Sequence, residues 1–171
     1  RHGIRNAVML TIPPCGTISM LMGVSSGIEP IFSAMYLRRY RQGSVWKEKL
    51  VVDPLFEQHH NEGKDTSKFI GAYDIGSDEH LAVQATIQRY IDSCISKTIN
   101  LPSTMEAKEV MDTAFVYMPY LKGMTVYRAA SKENEPLVAI PNTPENISRY
   151  MGSQDEVGVG VGEACSLAGG A

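Results

Sequence analysis

Residues Ala7-Val8-Met9-Leu10-Thr11-Ile12 run into Pro13-Pro14-Cys15-Gly16-Thr17-Ile18-Ser19, and these into Met20-Leu21-Met22. The first stretch is apolar apart from Thr11 and ends at a proline pair, the pattern of a buried strand. Ile18 to Met22 reads as the first turn of a helix. A strand that turns through glycine into a helix leaves several backbone N–H groups without intrahelical acceptors, aimed in one direction, with the positive end of the helix dipole behind them. Such a turn binds anions, phosphate above all. Gly16 lets the backbone come close to a ligand, and the Thr17 and Ser19 hydroxyls can add hydrogen bonds. The same pattern also makes a plain N-cap, and local chemistry alone leaves both readings open.

The 171 residues suffice for one domain with a core. Hydrophobic residues make up 43% and charged residues 20%, an ordinary globular balance. A net charge of −3 favours neither nucleic acid nor an anionic membrane as partner. No apolar run approaches the ~20 residues that span a bilayer, and no secretory signal pattern is present. Cys15, Cys94 and Cys165 are far apart and odd in number, so a disulfide framework is not expected and a cytoplasmic, reducing compartment is. The chain opens on Arg1 and enters a strand pattern almost at once, so the expectation is a piece of a larger fold.

Gly23 to Pro30 is loop chemistry, rich in glycine and serine. Residues 34–40 and 47–52 are placed to pair as a hairpin around Gln42-Gly43-Ser44. Its Arg38, Arg39 and Arg41 read as a solvated face in preference to an anion site. Asp53-Pro54 opens a helix, as N-cap and N1. That helix carries His59-His60, which point about 100° apart and cannot easily share one metal, so no metal site is expected. Ser77 reads as an N-cap with Asp78 and Glu79 in the first turn. Val83, Ile87, Tyr90, Ile91 and Cys94 then recur at helical spacing, with Cys94 expected in the core. After an extended segment to Pro102, Ser103-Thr104-Met105-Glu106 matches a capping box. The helix behind it is expected to bury Met111, Ala114, Phe115 and Met118, and Met124 to Arg128 reads as a strand. Strands separated by helices indicate the α/β class. Past Ala129 the pattern dissolves, and an irregular or flexible tail is expected over 129–171.

Several stretches, taken together, resemble the C-terminal part of the ribonucleotide reductase catalytic subunit. They are Gly3-Ile4-Arg5-Asn6, Thr11 to Ser19, Ser25-Ser26-Gly27-Ile28-Glu29-Pro30-Ile31-Phe32, Ile95 to Pro102 and Lys122 to Arg128, in family order and spacing. Within the family the resemblance is to class II, the adenosylcobalamin-dependent form. It implies a ten-stranded α/β barrel, of which residues 1–128 supply a C-terminal segment. It implies that Pro14, Cys15, Gly16, Thr17, Ile18 and Ser19 bind the substrate diphosphate, chiefly through backbone N–H groups. It implies a ribonucleoside di- or triphosphate substrate whose 2′-OH is replaced by hydrogen through a thiyl radical. The family's Asn-x-Cys-x-Glu motif and barrel cysteine pair are missing here. By resemblance, then, no catalytic residue lies in this chain, and an N-terminal reductase chain or segment carries the radical cysteine, the base and most of the cobalamin site.

Class I large subunits have two adjacent tyrosines on the final strand, where Thr125 and Val126 stand here, and neither can be oxidised in a radical relay. Cys15 stands where the family usually has Thr, a bland substitution in preference to a new redox role. Ala129-Ala130 stands where the family tends to have Asp-Gly. Family tails usually end in a cysteine pair, whereas Cys165 is alone. It acts through a mixed disulfide, pairs with another chain, or has no redox role. The alternatives are a class I-type large-subunit fragment, a non-catalytic remnant completing a barrel, and an independent phosphate-binding domain, against which the abrupt start at Arg1 argues.

Overall fold

The computed structural model describes residues 3–131 and 135–151. The lead segment lies beside residues 92–96 rather than in a full strand. Ile12 forms a parallel bridge with Ile95. Ser93 and Ser96 donate their amides to the carbonyls of Leu10 (3.0 Å) and Ile12 (2.8 Å). The expected burial is not met: Val8, Met9 and Leu10 are 53%, 75% and 53% exposed, because no described strand flanks the segment's other side. Helix α1 (Gly16–Met22) follows and ends at Gly23, whose φ of 67° lets its N–H turn back to the last carbonyls.

Strands β1 (Met35–Gln42) and β2 (Val45–Val52) form the expected hairpin, paired from Met35↔Val52 to Gln42↔Val45. Asp53 caps α2 (Pro54–Asn61), its Oδ1 accepting from the amides of Leu55 at 3.0 Å and Phe56 at 3.1 Å. The stretch read as an irregular tail is corrected over part of its length. Strand β5 (Leu137–Ile140) pairs antiparallel with β1, and α5 (Pro144–Met151) follows it. The apolar run 137–140 finds the open edge of β1, and Ile147, Tyr150 and Met151 pack on the core formed by Ala34, Met35, Leu50, Phe56 and Ile140. A strand this short, flanked by polar and proline-rich chain, gives little periodicity to read. Residues 152–171, with Cys165 and the glycine run, lie outside the described residues.

The second sheet is parallel: β3 (Thr98–Leu101) pairs with β4 (Thr125–Arg128) in the register Thr98↔Thr125 to Leu101↔Arg128. Helices α3 (Ser77–Gln88) and α4 (Ala107–Tyr117) belong with it, around Leu81, Ile99 and Leu101. The start of α3 is one residue off the expected cap. Gly76 is the N-cap, and its amide is held by Glu79 Oε2 at 3.0 Å. Its buried face is also different, comprising Ser77, His80, Leu81, Gln84, Ala85 and Gln88, while Val83 and Tyr90 are exposed. The polar members turn inward because backbone carbonyls wait there: Gln84 Nε2 donates to Gly123 O at 2.8 Å, and Gln88 Nε2 to Ile91 O and Ser93 O at 2.9 and 2.8 Å. Cys94 is exposed rather than in the core, with its thiol on Lys122 O at 3.3 Å.

The capping box before α4 does not form. Glu106 is the N-cap, without a side-chain bond, and Ser103 instead offers its carbonyl to Arg128 Nε at 3.0 Å. Of the four residues expected to be buried there, Ala114 is; Met111, Phe115 and Met118 are 45%, 63% and 50% exposed. Val110, Tyr117 and Leu121, also at helical spacing, face the sheet instead. The architecture is α/β, and the two sheets do not close into a barrel among the described residues. No described helix is long and apolar enough to cross a membrane.

Candidate functional site

The turn at Pro13 to Ser19 is built as an open helix N-terminus. Cys15 is the N-cap, at φ −121° and ψ 30°, and its side chain makes no capping bond. Its carbonyl accepts from Ser19 N at 2.8 Å, and its amide donates to Ser26 Oγ at 3.3 Å. The amides of Gly16, Thr17 and Ile18 come before the first intrahelical donor and have no acceptor among the described residues. Pro14, Gly16, Thr17 and Ile18 are exposed, Cys15 is half-buried and Ser19 is buried. Ser19 Oγ donates to Gly16 O at 2.8 Å, so its proton already closes the first turn. That leaves main-chain N–H groups and the Thr17 hydroxyl as the donors open to an anion. Gly16 does not have a left-handed φ, and nothing lies within 4 Å of where a Cβ would stand. Gly16 is therefore not required here by a special backbone conformation.

Beside the loop, a cleft of about 430 Å³ opens between Ile12-Pro13-Pro14, Cys94 to Ser96 and Gly123 to Thr125. A second, of about 340 Å³, lies where Tyr73 and Asp74 approach Glu135 and Leu137. Burial, then the charge of Glu135 and Tyr127, pushes the Tyr73 phenol up to about 12. Tyr127 donates to Glu135 Oε1 at 3.2 Å, while Thr125 and Val126 pair with Thr98 and Ile99.

Behind the loop lies a charged group that the sequence reading missed. Lys97 Nζ sits 3.3 Å from Glu29 Oε2 and 2.8 Å from His80 Nδ1, and His80 Nε2 is 2.9 Å from Ala72 O. Burial first, and the Lys97 charge among the lesser causes, holds the His80 pKa below its usual value. A signal existed: Lys97 alternates with Ile95, Ile99 and Leu101, all buried, and so belongs to the inward face of an extended segment. The arginine cluster does not join the loop. Arg39 pairs with Glu48 at 2.7 Å and Arg41 Nε donates to Gly43 O at 3.0 Å, both on the hairpin. Among the described residues no group of His, Cys, Asp and Glu is placed to hold a metal ion.

A family model described as ribonucleotide reductase, barrel domain, matches residues 1–127. The chain is 35% identical over 161 residues to a vitamin B12-dependent ribonucleoside-diphosphate reductase of Thermoplasma acidophilum, covering 80% of this chain and 21% of that protein. A protein of the same description from Mycobacterium tuberculosis is 29% identical over 166 residues, covering 82% of this chain and 23% of the relative. This chain therefore spans about a fifth of the length of the curated relatives it matches. The crystal structure of a B12-dependent, class II ribonucleotide reductase superimposes with a TM-score of 0.56 at 19% identity, covering 80% of this chain and 21% of that one.

Proposed function

This chain belongs to the ribonucleotide reductase family, within its barrel domain, and on that premise we propose that it holds the substrate's diphosphate for radical reduction of a ribonucleotide to a deoxyribonucleotide. The observation that carries the reading is the set of unpartnered amides at Gly16, Thr17 and Ile18, on exposed residues at a helix N-terminus. Pro14 and Cys15 shape the approach, and Ser19 closes the turn. Diphosphate held here fixes the sugar relative to a radical cysteine carried elsewhere in the reductase. In this reading residues 1–128 complete a ten-stranded barrel together with an N-terminal chain or segment. The substrate is a ribonucleoside di- or triphosphate.

The B12-dependent relatives point to adenosylcobalamin as the radical source of the whole enzyme. Neither of the two clefts is by itself a corrin site. At about 430 and 340 Å³, both fall within the range that suits drug-sized ligands, and a corrin with its adenosyl group is larger. The cofactor would supply the radical, and its site belongs mostly to the rest of the enzyme.

The test is nucleotide KM in the complete reductase. Gly16→Val places a branched side chain where the phosphate must come, and is expected to raise KM about tenfold or more, the loss of a charged hydrogen bond or two. Cys15→Thr leaves the backbone alone and is expected to leave KM within about twofold. A Gly16→Val enzyme with parental KM, beside a Cys15→Thr enzyme that has lost binding, would show that the loop works through the thiol and overturn the reading.

A further inference from the structure

Lys97 is 3% exposed, a rare place for an ammonium group. His80, 1% exposed, places Nε2 on the Ala72 carbonyl, so that nitrogen carries the proton and Nδ1 accepts from Lys97. The imidazole is neutral in this arrangement, which leaves Glu29 as the counter-charge. One Glu29 oxygen takes Lys97 Nζ and the other takes the Thr98 amide at 2.6 Å, so consecutive residues at the start of β3 grip the carboxylate.

Glu29 ends a tight turn. Its amide donates to Ser26 O at 2.8 Å, with Gly27 between them at φ 54°. The Cβ position of Gly27 lies 3.1 Å from Ile12 Cγ2, so the turn is pressed against the chain entering the loop. From the same turn Ser26 Oγ reaches the amide of Cys15, next in sequence to the unpartnered amides. An unbroken set of contacts thus joins the buried Lys97 and its half-buried partner Glu29 to the N-cap of α1. A buried ion pair is weak evidence for stability, because apolar residues of similar volume often do as well. What it offers here is direction, since it fixes the turn's height and angle against β3.

We propose that Glu29 and Lys97, acting through Ser26, are positioning residues that aim the free amides of the Gly16 loop and so set the affinity for the nucleotide's phosphates. This rests on the loop's assignment as the diphosphate site. The experiment measures nucleotide KM, kcat and thermal stability of the complete reductase carrying Ser26→Ala, Lys97→Met or the Glu29→Gln/Lys97→Met pair, with Gly16→Val as reference. Ser26→Ala leaves the buried pair intact and is expected to raise KM about three- to tenfold, the loss of one hydrogen bond, with kcat falling less than KM rises. Lys97→Met leaves the half-buried Glu29 carboxylate without its cationic partner and is expected to raise KM at least as much. The double variant removes both charges, keeps an acceptor for the Thr98 amide, and is expected to recover part of the lost affinity. It also carries the test if Lys97→Met fails to fold. Stability changes without a change in KM for Ser26→Ala and the double variant would make the network purely structural and overturn the proposal. If Gly16→Val raises KM and these do not, the positioning role alone falls. If Gly16→Val also leaves KM unchanged, the loop assignment falls and takes the proposal with it.

Discussion

Ala130 sits at φ 58°, the left-handed region, whereas the other described positive-φ positions are glycines. A Cβ there costs about 1–2 kcal/mol. The position follows β4, with Ala129 N on Leu101 O at 2.9 Å and Ala130 N on Glu135 Oε1 at 2.5 Å, so the turn is held from both sides. Reductases that this sequence resembles tend to carry Gly at this place. Ala130→Gly is therefore expected to stabilise the turn by about 0.5–1 kcal/mol, after the extra chain entropy of glycine is subtracted. Slower amide exchange at Tyr127 and Val138 in the complete reductase would register the gain, and faster exchange would count against it. His80 gives a second prediction. Its folded pKa lies below the usual imidazole value, so between the two values the unfolded chain binds more protons. Stability from this residue is present above the ordinary value of about 6.5 and is lost as pH falls through the folded one. His80→Gln is expected to flatten the acid limb of a stability–pH curve. A limb that stays as steep would assign it to other groups.

Elements were legible where the signal is local. Asp53-Pro54 announces α2, and the carboxylate takes both amides expected of an N-cap. Asp53→Ala is accordingly expected to cost about 1 kcal/mol, within a range of roughly 0.5–2, readable as faster exchange in the first turns of α2. The turn at Gly43 and the glycine turn into α1 were legible for the same reason. Faces were not. Periodicity assigns apolar residues inward, but α3 buries His80, Gln84 and Gln88 to meet carbonyls of other segments, and those partners are distant in sequence. The buried Lys97 was missed in the same way, because its Glu29 lies 68 residues away. Of the candidate site, the helix start and its free amides were readable. The engagement of Ser19 with Gly16 O was not, since a hydroxyl's choice between its own backbone and a ligand depends on geometry.

On the scale of the molecule, the misread faces share a physical cause. Met111, Phe115 and Met118 keep the spacing of a buried stripe yet are exposed, as are Ile18, Met20, Leu21 and Met22 on α1 and Val8, Met9 and Leu10 in the lead segment. Isolated exposed apolar residues are normal in a monomer; whole faces of this kind mark surfaces that another part of a protein covers. The chain spans about a fifth of its relatives' length, and under the proposed reading the rest of the reductase covers these faces. The 171-residue chain by itself is therefore expected to lack a cooperative thermal transition, to self-associate, and to bind a dye that reports exposed apolar surface. It is also expected to produce no deoxynucleotide, with or without adenosylcobalamin. Mixed with the remaining part of the reductase, it is expected to lose the dye signal and gain a cooperative transition. A compact monomer with a sharp melt in the absence of that partner would show that the hairpin core around Met35 and Phe56 and the sheet core around Ile99 suffice alone. The exposed stripes on α1 and α4 would then need an explanation other than burial in a barrel.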